Sequence, residues 1–385
     1  MAAKVGSARG TNVPPRSRGA RIAASSPDEA MTKGQRIRYL RTLDGVQLAW
    51  AEAGAGPLLV KAANWLSHLE YDLESPVWRH WFRFFADHFR YVRYDERGCG
   101  MTDWNVGDLT FERWVEDVEA VVAAAGDTEP FTLLGISQGA AVCVAYAVRH
   151  PERVSHLILY GGYARGWWRR GEPQGEREYN AIVELVRVGW GKNNPAFRQV
   201  FTSRFIPGAT EEQLGWWNEL CRKTTTPAIA ADLLVARAQI DVTDLLGQVR
   251  AKTLVIHARE DAVCPIAEGR LMAARIPNAQ FVELDSRNHV LLEQEPAWAR
   301  FQEVVREFIG VGAAPAEHGA FAALSARERE ILVLISEGLS NAEIAERLAI
   351  SDKTVRNHIS KVFDKLGVWT RAQAMVFARD HGFLR

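Results

Sequence analysis

The feature that most restricts how this chain can fold is a regular exchange, between residues 36 and 160, of short apolar runs with longer amphipathic ones. Residues 36–42 and 46–52 alternate in polarity and flank Asp44-Gly45, which reads as a hairpin. Residues 58–63, 91–94, 132–136 and 156–160 form short apolar runs, as expected of strands covered on both faces. Between them, residues 78–85, 111–125 and 138–149 read as helices. Strand and helix in turn imply a mostly parallel sheet with helices on both faces, an α/β fold. Two late strands, 253–258 and 280–284, and a closing helix over 297–309 complete it.

The exchange breaks between about 163 and 248. Strand signals vanish there and a helical stretch carries Trp167, Trp168, Trp190, Trp216 and Trp217. Helices inserted between two sheet strands predict a lid, with some of these rings facing a cavity and the rest packing the lid's own core. Residues 1–34, rich in Gly, Ala, Ser, Pro and Arg, read as a disordered basic tail, which a start at Met31 would largely remove. The sheet-based domain then spans 35–310. Small polar residues make 311–321 a linker, and 322–385 is a separate helical domain.

Lys+Arg and Asp+Glu are both 47, so any nucleic-acid site must be a local arrangement rather than a polycationic surface. No apolar run reaches membrane-spanning length and no signal-peptide core follows the N-terminus, which predicts a cytoplasmic protein with no membrane partner. The four cysteines lack paired spacing and are expected to be free thiols. No metal site and no cofactor is expected.

Gly135-Ile136-Ser137-Gln138-Gly139 stands between a buried strand and a helix of small residues. A sharp strand-to-helix turn needs glycine where side chains would collide, and it lifts the serine hydroxyl above the sheet edge. This resembles the α/β-hydrolase family, over about residues 36–310. Its partners follow in that family's order: Asp261, after the strand ending at Ala258, matches the acid, and His289, after the last strand, matches the base. The resemblance implies a nucleophilic Ser137 whose proton His289 takes while Asp261 orients the ring. Asp95-Glu96-Arg97-Gly98-Cys99-Gly100 resembles another loop of the family and reads as structural. The loop Ala62-Ala63-Asn64-Trp65 departs from the His-Gly of many relatives, which lowers the turnover expected. Trp65 and Gln138 are expected to supply the oxyanion N–H groups. Asn64, Trp65 and the five lid tryptophans are the expected pocket lining. A serine at the elbow argues against epoxide hydrolases and haloalkane dehalogenases, which use aspartate there. The chemistry left is hydrolysis of an ester, lactone or related carbonyl.

In the C-terminal domain Ser325 with Glu328, and Ser340 with Glu343, have capping-box spacing. The second helix is expected over 341–348, a turn at 349–351, and the third helix over 352–366. Val355, Ile359, Val362 and Leu366 make a core stripe on that third helix, leaving a polar and basic face opposite. The segment 324–374 resembles the LuxR-type regulators. The residues that carry the likeness are Asn341-Ala342-Glu343-Ile344-Ala345, Ser351, Thr354-Val355, His358-Ile359, Lys365-Leu366-Gly367 and Arg371. By position, Arg356, Asn357 and Ser360 would meet base edges, and Lys353, Thr354 and Lys361 phosphates. The resemblance implies a homodimer on pseudo-palindromic double-stranded DNA, joined through Ala374, Phe377 and Ala378, with RNA polymerase as a further candidate partner.

Two functions survive. The favoured one is a transcription regulator whose hydrolase-like domain senses a small, largely apolar molecule and hydrolyses it slowly. The alternative is a serine hydrolase with an accessory DNA-binding domain. A DNA-binding domain has no use in catalysis, whereas a preformed pocket has a direct use in sensing.

Overall fold

The computed structural model describes residues 34–194, 196–310, 324–366, 368 and 370–380. The expected tail and linker lie outside the described residues, apart from Gly34.

Eight strands form one sheet: β1 (Arg36–Arg41), β2 (Gln47–Ala53), β3 (Leu58–Lys61), β4 (Arg90–Tyr94), β5 (Phe131–Ile136), β6 (Val154–Tyr160), β7 (Lys252–Ala258) and β8 (Gln280–Leu284). Their order across the sheet is β1-β2-β4-β3-β5-β6-β7-β8. The β1–β2 hairpin and the β2–β4 pair are antiparallel, and every later pair is parallel. β3 and β5 are buried at every position, as a doubly covered parallel sheet requires. Ile136, Tyr160 and Ile256 pair side by side, so β5, β6 and β7 end at the same edge. In an open α/β sheet the carboxyl ends of the strands are where ligands bind.

The covering helices are α1 (Arg79–His88), α2 (Phe111–Ala125), α3 (Gly139–Arg149), α8 (Ile266–Arg275) and α9 (Pro296–Ile309). The Thr110 hydroxyl caps α2, and Gly126 ends it in the left-handed region at φ 71°. From Gly139 to Ala147 α3 is buried at every position, because its Ala, Val and Cys residues leave no polar face to turn outward. Between β6 and β7 lie four further helices: α4 (Pro173–Gly189), α5 (Ala196–Phe205), α6 (Glu211–Thr224) and α7 (Pro227–Ala238). The helix α8, absent from the sequence reading, has only a weak apolar stripe.

The C-terminal unit holds α10 (Ala326–Ser336), α11 (Asn341–Arg347), α12 (Asp352–Leu366) and α13 (Arg371–Asp380). Both capping boxes form: each serine hydroxyl accepts the N–H three residues on, and each glutamate accepts the serine's own N–H at 2.7 Å. Ala349 takes a left-handed φ of 51° in the tight turn before α12. One buried cluster joins Ile331, Ile335, Ile344, Val355 and Ile359, and a second joins Leu324, Leu332, Val362, Leu366, Ala374 and Ala378. The second cluster corrects one expectation. Ala374 and Ala378 are fully buried inside their own unit, with half-buried Phe377 packed on the same cluster, so the two alanines close the fold instead of forming a dimer contact. The periodicity of α13 marked an apolar side but not what would cover it.

All four cysteines are free and buried. Among the described residues no helix is long and apolar enough to cross a membrane.

Candidate functional site

Ser137 sits one residue past β5 with a positive φ of 55°, a conformation that costs a non-glycine residue about 1–3 kcal/mol and is found where the surroundings enforce it. They enforce it here. Its N–H donates to the Tyr160 carbonyl at the end of β6 at 3.0 Å. A Cβ on Gly135 would lie 2.6 Å from Ala140 Cα, and one on Gly139 3.1 Å from the Ala63 carbonyl oxygen. Only glycines let strand, turn and α3 pass so closely.

Asp261 follows β7. Its Oδ1 accepts the N–H groups of Val263 and Cys264 at 2.8 and 2.9 Å, and its Oδ2 accepts from His289 Nδ1 at 2.6 Å. Glu260 beside it is exposed. Accepting from Nδ1 leaves His289 Nε2 as the basic atom, and that nitrogen is buried without a hydrogen-bond partner. Behind the pair lies His257, whose Nε2 is 2.9 Å from the Cys264 carbonyl; burial holds this imidazole below its usual range. The backbone N–H of His289 donates to the Phe205 carbonyl at 2.8 Å, and the two rings meet edge to face. The histidine is therefore held partly by the end of α5. No hydrogen bond joins Ser137 to His289, a contact that often tightens only when substrate is present. Among the described residues, no acceptor is found for the backbone N–H of Trp65 or of Gln138.

A narrow cavity of about 50 Å³ opens on Ser137 and Gln138. Helices α4, α5 and α7 cover it, contributing Tyr179, Ile182, Phe201, Phe205 and Leu234. Such a volume holds only a few water molecules, so a larger ligand requires these helices to shift.

The cavity separates the expected lining residues. Trp65 and Trp167 line it, the latter stacked on Tyr179. Five do not. Trp190 stacks behind Trp65 at 5.4 Å, Trp217 is buried between Trp78 and Phe205, and Trp216 stacks on Tyr71. Trp168 is exposed, with its indole N–H on Asn180. The Asn64 side-chain Oδ1 accepts from Lys61 Nζ, which turns that side chain toward a separate buried cluster with Asp72 and Arg93. Large rings in a helical insertion mostly fill its core, and composition alone does not say which do.

Arg170, Arg204 and Arg237 also line the cavity and went unread in the sequence. One signal was available: Arg237 is the lone cation in α7, which is apolar but for it and Asp232, and it is 3% exposed. It pairs with Glu96, and its guanidinium lies 4.8 Å from the Trp65 ring centre. The loop after β4 is held by buried ion pairs. Arg97 is fully buried, donating to Asp117 at 2.6 and 2.8 Å and to Asp44 at 2.8 Å.

On α12 the stripe Val355, Ile359, Val362 and Leu366 is buried, while Lys353, Asn357, Ser360 and Lys361 are exposed. Arg356 is exposed but pairs with Asp352 at 2.7 Å, and Thr354 is half-buried with its hydroxyl 2.7 Å from that of Ser351. Lys365 donates to Glu328 at 2.6 Å, and Arg371 donates to the Leu339 carbonyl and to Asn341. Lys365 thus ties α12 to α10, and Arg371 ties α13 to the start of α11.

The family described as "alpha/beta hydrolase fold" matches residues 72–296, and "Bacterial regulatory proteins, luxR family" matches 322–378. The chain is 24% identical over 265 residues to the AB hydrolase superfamily protein YisY of Bacillus subtilis (strain 168), covering 67% of this chain and 94% of that one. Its C-terminal part is 47% identical over 57 residues to the DNA-binding transcriptional activator DevR/DosR of Mycobacterium tuberculosis, covering 15% of this chain and 26% of that one. In structure it is similar to an esterase from Exiguobacterium antarcticum, with a TM-score of 0.60, 22% identity, and coverage of 71% and 98%.

Proposed function

The chain belongs to the α/β-hydrolase fold family and carries a LuxR-family DNA-binding domain, and on that premise we propose that it is a transcription regulator whose hydrolase-fold domain binds a small molecule against Ser137 and slowly hydrolyses it. The observation that carries this reading is the covered cavity at the strained Ser137, on a domain that also holds a hydrogen-bonded Asp261–His289 pair. The lid is the natural element for a ligand to bias, because it closes the cavity and its Phe205 carbonyl holds His289.

In the chemical step Ser137 Oγ attacks an ester or lactone carbonyl as its proton passes to His289 Nε2, and Asp261 stabilises the imidazolium. The N–H groups of Trp65 and Gln138 receive the developing oxyanion. The carbonyl–alkoxy bond breaks, the alcohol leaves with the proton from His289, and water then releases the acid from Ser137. On the DNA side, Arg356, Asn357 and Ser360 are proposed to read bases and Lys353, Thr354 and Lys361 to hold phosphates, on a pseudo-palindromic site bound by a dimer. Arg356 must leave Asp352 to do so, and the dimer contact must lie outside Ala374 and Ala378.

The intact Ser137, His289 and Asp261 set favours one rival, a hydrolase with an accessory DNA-binding domain. Ser137→Ala separates the two. The variant should lose aryl-ester hydrolysis, by at least about 10³-fold, yet keep ligand binding and a ligand-dependent reporter response. Undiminished hydrolysis would remove Ser137 from the chemistry. A variant that binds ligand and never responds would make cleavage itself the signal.

A further inference from the structure

The cavity at Ser137 is not simply apolar. Its aromatic walls include Trp65, Tyr163, Trp167 and Tyr179, but three arginines open into it and no carboxylate does. The nearby acids are already engaged: Glu268 with Arg165 at 2.7 Å, Asp261 with His289, and Glu96 with Arg237. Arg237 is almost fully buried, and despite Glu96 its Nε and Nη1 have no hydrogen-bond partner. Arg170 lies over the Tyr163 ring, with Nε on the Arg165 carbonyl at 3.0 Å. Arg204 lies over the Tyr179 ring, with Nη2 on the Ala262 carbonyl at 2.7 Å. Neither Arg170 nor Arg204 forms an ion pair among the described residues. Only Arg237 is almost fully buried, and Arg170 and Arg204 are half-buried. Three guanidiniums against one paired carboxylate thus give the cavity a surplus positive charge that an anion bound under the lid would offset.

We infer that the molecule held against Ser137 carries a carboxylate, gripped from the lid by Arg170 and Arg204, with an apolar body lying along the aromatic wall. This rests on the reading of the cavity as the ligand site, and replaces the largely apolar ligand expected from the sequence with an amphipathic one. Arginine suits the task because its flat fork meets both carboxylate oxygens while its face rests on a ring. Arg237, beneath Trp65 and tied to Glu96, is a positioning residue for the loop whose N–H faces the oxyanion. Arg204 directly precedes Phe205, whose carbonyl holds His289, so an anion at Arg204 also draws the lid onto the base.

The test compares matched charged and neutral probes on the full chain. In tryptophan-fluorescence titrations 4-phenylbutyrate should bind about 10-fold or more tighter than 4-phenylbutyramide, the ratio expected of one charge-assisted contact. Arg170→Gln with Arg204→Gln should erase that ratio, so that acid and amide bind alike in the variant. Phenylbutyl phosphate binding tightest of the three would overturn carboxylate as the headgroup. Equal affinities for acid and amide in the unmodified chain would overturn the inference without any variant. The same pairing in turnover uses the mono-4-nitrophenyl ester of glutaric acid and its methyl-capped form, with a lower KM expected for the free acid. Tight acid binding with neither ester cleaved would sink the hydrolytic reading and support this one. Both esters cleaved equally well, in unmodified and doubly substituted chains alike, would sink this one and leave the hydrolytic reading standing.

Discussion

The two sites of this chain are built in opposite ways. The hydrolase-fold site draws Trp65, Ser137, Asp261 and His289 from the ends of β3, β5, β7 and β8, a spread of more than half the chain, and buries all four. The proposed DNA-facing surface lies within one helix, α12, and stays exposed. A site assembled from distant loops depends on the register of the sheet and on what braces each loop. A face on one helix depends on periodicity and two caps. The first should therefore be brittle to changes far from it, and the second should respond residue by residue.

The largest effect expected is at Arg97, which touches no ligand. Removing its side chain leaves Asp117 buried without its cation and Asp44 with only the more distant Arg113, at 3.6 Å, and Arg97→Ala should cost the hydrolase-fold domain about 3–5 kcal/mol. Urea unfolding followed by the domain's tryptophan emission measures it, and a loss under 1 kcal/mol would mean that the loops are held by packing alone. On the other side, Asn357→Ala should cost about 1–3 kcal/mol on a specific operator and little on random DNA. Lys361→Ala should weaken both and lower the salt slope by roughly one unit. Equal losses on the two DNAs for Asn357→Ala would take that residue out of base readout and spoil the contrast.

The smallest effect is a pH dependence in the C-terminal domain. Lys365 and the Ser325 N–H hold the Glu328 carboxyl at about 2, below its ordinary 4.5. The folded domain thus refuses a proton that the unfolded chain accepts. The stabilisation is complete above pH 4.5, declines below it, and is gone once the pH falls through about 2. Glu328→Gln should cost about 1 kcal/mol at pH 7, and the gap between variant and parent should close over that acid range. A gap that is constant with pH would assign the effect to packing.

Much of this was legible beforehand, for particular reasons. Ser137 showed itself because an elbow needs Gly135, and the paired strand-end residues Asp261 and His289 followed in order. The α12 face was legible because Val355, Ile359, Val362 and Leu366 already divide that helix. Trp190 and Trp217 were misplaced because a tryptophan in a helical insertion looks the same whether it faces a cavity or backs another ring. Arg170 and Arg204 were invisible because a surface arginine and a cavity arginine share one letter, and only the fold says which carboxylates are already taken.

The sequence by itself determined the α/β order of elements, the sharp glycine-flanked turn at Ser137, the capping boxes and the split of α12 into core and solvent faces. Each follows from local sterics or from a period of two or 3.6 residues. The tertiary structure alone decided which rings meet the cavity, that Ala374 and Ala378 close their own domain, and that three guanidiniums share one enclosure. Those are matters of which surfaces come to face each other. Burial and charge balance depend on neighbours that folding supplies from elsewhere in the chain.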